Sequence, residues 1–452
     1  MTVDIGNLAV RGQILRAGDP GYEDARAIFN GMIDRRPAML VRVSDAADVA
    51  ETLRFAREQK LEVSVRGGGH GVAGRALGGD LVIDLSALRA VTVDPGSRTA
   101  VVQGGATWGE VDQATQAHGL AVPGGRITHT GVAGLTLGGG EGWLSVKHGL
   151  ACDNLLAVEL VTADGRLLRV DDESEPELMW ALRGGGGNFG VVVSFTFRLH
   201  PVGPMIVGGM IGYRVSDAPA VLEVLARLNA EGSEDLGAAA VFMAAPPAPF
   251  VPPELVGQHI LAVAPTWFGE PEAGAQAVAP LREEVEPLFD AVGPMPYVAL
   301  QAMLDAGSPP GLRNRWGSGF VETITPELIA ASQEPLPGPM SHLIILPLPE
   351  AVRRLPELQG AFPGRMGGRW LVHPVATWMD PSGDERNLAW VSRMNAAVRP
   401  TGTYLNLEAP DDDRVRWAMG ETRYRRLQRV KAVWDPDDVF RHCAHVTPWD
   451  GS

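Results

Sequence analysis

Glycine is unevenly spread along this chain, and its placement constrains the fold more than any other feature. VRGGGHGVAG (65–74), GGRITHTGVAGLTLGGGEGW (124–143) and LRGGGGNFG (182–190) all lie within the first 190 of 452 residues. Glycine accepts positive φ and lets backbone approach a ligand closely. Several such loops in one segment therefore suggest the lining of one long bound molecule.

Between the loops the pattern is mixed. DAADVAETLRFAREQK (45–60) reads as a helix, with Asp45 and Asp48 at its N-terminal end and Val49, Leu53 and Ala56 on one face. LEVSVR is a strand running straight into the first glycine loop, and LVIDL is another. AVTVDPGSRTAVVQ reads as a hairpin around Asp-Pro-Gly, and TWGEVDQATQAHGL as a second helix. LLAVELVT, LLRV and VVVSFTFRL complete an α+β segment ending near Pro201. From 203 to 400, helices such as APAVLEVLARLNAEG alternate with apolar strands such as HLIILPL, and APPAPFVPPE reads as a surface loop. A last helix carries Tyr424, Leu427, Val430 and Val433 at every third position and stops at Trp434-Asp435-Pro436. A chain of this length is expected to divide into two domains.

Composition excludes several classes. Hydrophobic content of 45% and charged content of 21% are those of an ordered globular chain. A net charge of −15 without a basic run argues against nucleic acid and anionic membranes as partners. Two cysteines, Cys152 and Cys443, cannot build a disulfide framework or a cysteine-rich metal site. No basic-then-apolar leader and no long apolar run is present, so a soluble cytoplasmic protein is expected.

His70 follows three glycines at the end of a strand. A turn histidine, a metal ligand and a covalent cofactor anchor all fit that placement. The ligand reading lacks company, since no HxxxH or HExxH occurs, and no metal is expected. GGGHGVAG is not a dinucleotide fingerprint, because a strand follows it where a long helix is required.

Arg66-Gly67-Gly68-Gly69-His70 resembles the RxGGH motif of the berberine bridge enzyme branch of the vanillyl-alcohol oxidase and p-cresol methylhydroxylase superfamily. GVAGLTLGGGEGW, HGLACDNLLAVELVTADGRLLRV, WALRGGGGNFGVVVSFTFRL and YRRLQRVKAVWDPDDVFR resemble the family's further signatures in order and spacing. The resemblance covers 35–201 and 403–448 and is loose between them.

It implies a two-domain PCMH-type α+β fold. The FAD-binding domain would comprise 1–202 with 411–452 returning to it. The substrate domain, 203–410, would be an antiparallel sheet backed by helices. It also implies FAD joined to His70 through its 8α-methyl carbon. Arg66, Gly67, Gly68, Gly69, Gly71, His129, Thr130, Gly131, Gly134, Gly138, Gly139, Gly140, Gly190 and Val191 would line the cofactor. Backbone N–H groups of Gly67–Gly71, Gly138–Gly140 and Gly184–Gly187 are expected to hold its pyrophosphate. Some members carry a second, cysteinyl link; its position falls near Ile127, so a single link is expected here. Cys152 is then a buried structural thiol. Thr130 falls where the family controls oxygen access.

The family's YxNY motif is Tyr404-Leu405-Asn406-Leu407 here, on an expected last strand, with Tyr404 the candidate base and Asn406 beside it. The family's NQNI is Cys443-Ala444-His445-Val446, leaving His445 as a replacement contact. Glu322, His373 and Trp378 are candidates to line the substrate cleft. The implied reaction is two-electron oxidation of an alcohol of a sugar or secondary metabolite, by hydride transfer to the flavin, with O2 as acceptor giving hydrogen peroxide. C–N or ring-closing oxidation is the alternative, and an inactive flavin-binding homologue the rival; the protein itself is expected as a monomer or small homo-oligomer.

Overall fold

The structure is a computed structural model that describes residues 8–231, 233–354, 359–366, 368–407 and 412–451. The first seven residues and the expected boundary at 410/411 lie outside them.

Two sheets dominate the N-terminal part. Met39–Arg42, Leu81–Asp84 and Val63–Arg66 pair in parallel, with Gln13–Leu15 antiparallel at the edge. The helix Ala46–Gln59 covers this sheet through Val49, Leu53 and Ala56. Its start is fixed by the Asp45 side chain, which accepts the Asp48 N–H. Its end is fixed by Lys60 in the left-handed region at φ 56°. A second sheet is fully antiparallel and orders its strands Val91–Asp94, Thr99–Gln103, Val191–Arg198, Leu155–Val161, Leu167–Asp171. Thr107 and Glu110 form a capping box at the head of the helix Trp108–Gln116.

The C-terminal helix Glu421–Trp434 returns to this second sheet. Tyr424, Leu427 and Val430 are buried in one cluster with Leu160, Leu182 and Phe195. Val433, expected on the same face, is 70% exposed. Nine residues at about 100° each end half a turn from the start, so a strict three-residue spacing leaves the apolar stripe.

The segment between is a ten-stranded sheet whose pairings among the described residues are all antiparallel. Its central strands are Ile211–Arg214, His259–Trp267, Leu236–Ala244, His342–Pro347 and Trp370–Trp378, with Arg313–Trp316 at one margin. The helices Ala218–Glu231, Pro271–Glu283 and Asp384–Val398 cover one face, burying Leu222, Leu281 and Trp390 against Tyr213, Phe242 and Val372. Side chains alternate between faces along a strand, so the positions next to these in each strand point away from those helices. They form the roof of the cavity described next.

Candidate active site

A cavity of about 990 Å³ lies between the glycine loops and the free face of the ten-stranded sheet. That volume is at the upper end for ligand pockets, as a long dinucleotide requires. The first loop enters it directly from the strand Val63–Arg66. A β-carbon on Gly68 would sit 2.5 Å from the backbone N and Cα of Gly131, so the first and second glycine loops touch backbone to backbone. Gly131, Gly134, Gly138 and Gly190 also face the cavity, together with Thr130 and Val191.

The expected donors divide into two groups. The N–H groups of Gly67, Gly68, Gly69 and Gly71 have no protein partner among the described residues. Most of the others are already bonded. Gly139 donates to Thr136, Gly140 to the Tyr404 hydroxyl, Gly184 and Gly186 to Leu137, and Gly185 to Ala181. Gly139 and Gly140 do not line the cavity either, so these glycines shape the wall from behind. The expectation that all three clusters supply donors is thereby corrected: helix-end bonds occupy most of the second and third.

His70 stands in the middle of this wall. Its ring stacks on Phe29 at 4.0 Å and lies 5.1 Å from His129. Its Nε2 is buried without a hydrogen-bond partner among the described residues, and so is Nε2 of His129. Burial, helped by the neighbouring His129, pushes the His70 pKa down to about 3, so the imidazole is neutral. A neutral, unpartnered imidazole nitrogen on a cavity wall is a nucleophile without a protein use. Arg66 and His129, expected at the cofactor, do not line the cavity; the Arg66 guanidinium donates to the Ala25 carbonyl, and its Nε has no partner among the described residues.

Tyr404 and Asn406 meet the second glycine loop. The Tyr404 hydroxyl accepts the Gly140 N–H at 2.8 Å and the Asn406 amide at 3.2 Å, and burial pushes the phenol up. Asn406 also donates to the Leu135 carbonyl at 3.1 Å, and its amide fills the space that a β-carbon on Gly138 would need. Leu405–Leu407 form a 3-10 turn and not the expected strand. A neutral phenol that accepts these bonds and a third from the Glu141 N–H at 3.4 Å serves the loop's shape, which tells against Tyr404 as the base.

The three substrate candidates part company. His373 faces the cavity from the strand Trp370–Trp378. Trp378 cannot, because five residues along a strand reverse the face. It is buried under the helices with Trp390 and donates to Asp384 at 2.7 Å. Glu322 lies outside the cavity, 63% exposed and paired with Arg369 at 2.8 Å. His445 is held by Asp438 at 2.9 Å and is also off the cavity wall.

A model for an FAD binding domain matches residues 37–171, and one for berberine and berberine-like proteins matches 403–446. Aclacinomycin-N/aclacinomycin-A oxidase of Streptomyces galilaeus is 30% identical over 93% of this chain and 87% of its own. The chain belongs to the berberine bridge enzyme-like family of FAD-linked oxidoreductases. (R)-6-hydroxynicotine oxidase of Paenarthrobacter nicotinovorans is 29% identical over 98% of both chains. The crystal structure of 6-hydroxy-D-nicotine oxidase from Arthrobacter nicotinovorans matches with a TM-score of 0.86 at 27% identity, covering 98% of this chain and 99% of that one. The expected PCMH-type α+β fold, with its antiparallel sheet backed by helices, is borne out.

Several residues of this berberine bridge enzyme-like protein escaped the sequence reading. Phe29 holds His70, and Asn30 ties the His70 loop to the roof. Asn30 donates to the carbonyls of Val72 (2.9 Å) and Asn314 (3.0 Å) and accepts the Asn314 N–H. Asn314, Trp316, His342 and Thr377 face the cavity from the roof. Arg126 pairs with Glu141 and lies 4.2 Å over the Trp143 ring. The proline-rich stretch is more than surface loop, since Pro246, Pro247 and Phe250 edge the cavity. Alternation along HLIILPL and WLVHPVATW was the available signal for the roof; Phe29 and Asn30 carried none.

Proposed function

We propose that this protein is an FAD-linked oxidase that holds its cofactor through a single covalent bond to His70 and oxidises an alcohol group of a small organic molecule. The observation that carries the reading is the buried, neutral, unpartnered Nε2 of His70 on a glycine-lined cavity. When bound, FAD supplies the two-electron acceptor, which O2 reoxidises with release of hydrogen peroxide.

The chain's own residues prepare the site. Gly67–Gly71 offer unbonded N–H groups for a pyrophosphate, and Gly131 allows the second loop to close against them. The cavity carries Ile127 where a second, cysteinyl link would be made, and Cys152 is buried in an apolar cluster off the cavity wall. Both features support a single link. Thr130 presents a small side chain to the cavity, consistent with access for O2. Tyr404 and Asn406 brace the second loop from the opposite side.

We keep the division into an FAD-binding part, 1–202 with 411–452, and a substrate part, 203–410. Its support is that Leu427 and Val430 share a core with Phe195, whereas Leu222 and Trp390 share another with Phe242.

Acid precipitation tests the reading. Wild-type protein precipitated with trichloroacetic acid is expected to give a yellow washed pellet, and His70→Ala a colourless one. A colourless wild-type pellet would remove the covalent bond. Colourless soluble protein would remove the cofactor. Peroxide release from a panel of alcohols then tests the reaction.

A further inference from the structure

The roof of the cavity has a distinct chemistry. Ala239, Val241, Ala262, Ala264 and Ile344 present small or apolar side chains. The charged side chains among the described lining residues, histidines aside, are Arg75, Arg126 and Glu141, all from the glycine-loop side. Arg126 and Glu141 neutralise each other. A substrate lying against the roof therefore meets no net charge, and a substrate that carried a permanent charge of its own would lose its hydration there without a partner.

Polar atoms are confined to one strip across three neighbouring strands. Asn314 pairs in register with Thr377, Trp316 and His342 both pair with Val375, and His373 pairs with Ile344. Within the strip most polar groups are occupied with each other. Thr377 donates to Asn314 Oδ1 at 2.9 Å, Trp316 Nε1 donates to the same oxygen at 3.2 Å, and Asn314 donates to Leu312. The two histidines differ: each donates from Nδ1 to a backbone carbonyl, His342 to Met340 at 3.3 Å and His373 to Gly317 at 2.6 Å, which fixes the tautomer and leaves the lone pair on Nε2. Nε2 has no protein partner among the described residues. The Trp316 ring stands edge-on to His373 at 5.4 Å and lies 6.2 Å from the His70 ring. Of the two acceptors, His373 is the one that a single indole separates from the cofactor anchor.

We infer that His373 is the proton acceptor of this site and that the substrate is a neutral, largely apolar alcohol. The inference rests on the oxidase reading above. In the step, the alcohol O–H proton passes to His373 Nε2. Bound FAD would supply the acceptor for the carbinol hydrogen and its electron pair, so that the C–O single bond becomes C=O. Burial, opposed by the Gly317 bond and reinforced by His342, brings the His373 pKa down to about 4, so its lone pair is free at neutral pH. Tyr404 does not compete for the role, because its hydroxyl is a neutral acceptor for Gly140 and Asn406.

The test compares two ligands of one apolar shape, 2-naphthol and 2-methoxynaphthalene, by calorimetry on the flavin-loaded protein. Neither has a carbinol hydrogen, so neither is turned over. Wild type is expected to prefer the naphthol by roughly three- to tenfold, the worth of one hydrogen bond. His373→Leu is expected to abolish the preference while still binding the ether, and loss of the preference in His342→Leu instead would overturn the assignment to His373. His373→Gln provides a second variant should the leucine protein not fold. A naphthol preference that survives both His373 substitutions overturns the acceptor. Wild type that binds neither ligand, or binds glucose more tightly, overturns the apolar class. The yellow colour and its bleaching by dithionite, read on the same samples, report on the oxidase reading separately.

Discussion

The imidazole of His70 lies 4.0 Å from the phenyl ring of Phe29, the two planes 16° apart. Phe29 is fixed at both backbone groups as well: its N–H donates to the Gly69 carbonyl at 3.0 Å and its carbonyl accepts from Gly311 at 2.9 Å. The residue thus sets the ring plane of the anchor and fastens the anchor's loop to the roof. Phe29→Ala removes a buried phenyl and is expected to cost about 3 kcal/mol of stability. The acid-stable fraction of flavin should fall with it, and Phe29→Leu should lie between the two. Full acid-stable flavin in the alanine variant would show that stacking does not orient His70.

Gly68 and Gly71 make opposite predictions from one loop. A β-carbon on Gly68 meets the Gly131 backbone at 2.5 Å, whereas one on Gly71 meets nothing within 4 Å. Gly68→Ala must push two loops apart and is expected to lose about 1–3 kcal/mol in denaturant unfolding. Gly71→Ala should unfold at the wild-type midpoint, yet it projects a methyl into the cavity and should bind less flavin. Equal flavin content in Gly71→Ala and wild type would place the cofactor away from this loop.

Much of this architecture was legible because it is local. The helix at 45–60 shows its cap and face in one window, and the hairpin around Asp94-Pro95-Gly96 its turn. His70 stood out because three glycines precede it. The roof required more. His373 and Trp378 look equivalent as residue types near one strand, and only their odd separation puts them on opposite faces. The stack of Phe29 on His70 and the bond from Asn30 to Asn314, 284 residues apart, have no sequence periodicity to report them. Donor availability was equally hidden, since the glycine clusters look alike in sequence and differ in which N–H groups the helix ends consume.

Lys431 is wholly buried one helical turn from Asp435, at 3.0 Å. Its Nζ also reaches Asp438 and the carbonyls of Phe440 and Asn188, so the pair closes the C-terminal segment onto the third glycine loop. Asp435 in turn accepts the N–H groups of Val439 and Phe440. Lys431→Met strands a buried carboxylate and is expected to cost about 3–5 kcal/mol. Adding Asp435→Asn should recover part of that loss. A double variant no more stable than the single one would show that the pair is not coupled.

His148 and His200 stack at 3.7 Å with planes 9° apart, and Nε2 of His148 is buried without a partner. Burial lowers the His148 pKa to about 3, with His200 and Lys147 adding to the shift and Asp235 opposing it. Burial and Arg198 lower His200 to about 4. Both rings are neutral when folded, whereas unfolded histidines titrate near 6.5. Between about 6.5 and 4 the unfolded chain binds protons that the folded one does not, so stability is complete above that window and is lost as pH falls through it. The urea midpoint should therefore drop between pH 7.5 and pH 5. His148→Phe keeps a stacked ring but removes one titrating group, and its midpoint should drop less. An equal drop in wild type and variant would assign the acid sensitivity to other groups, among them His342 and His373 of the cavity roof, which burial also holds near 4.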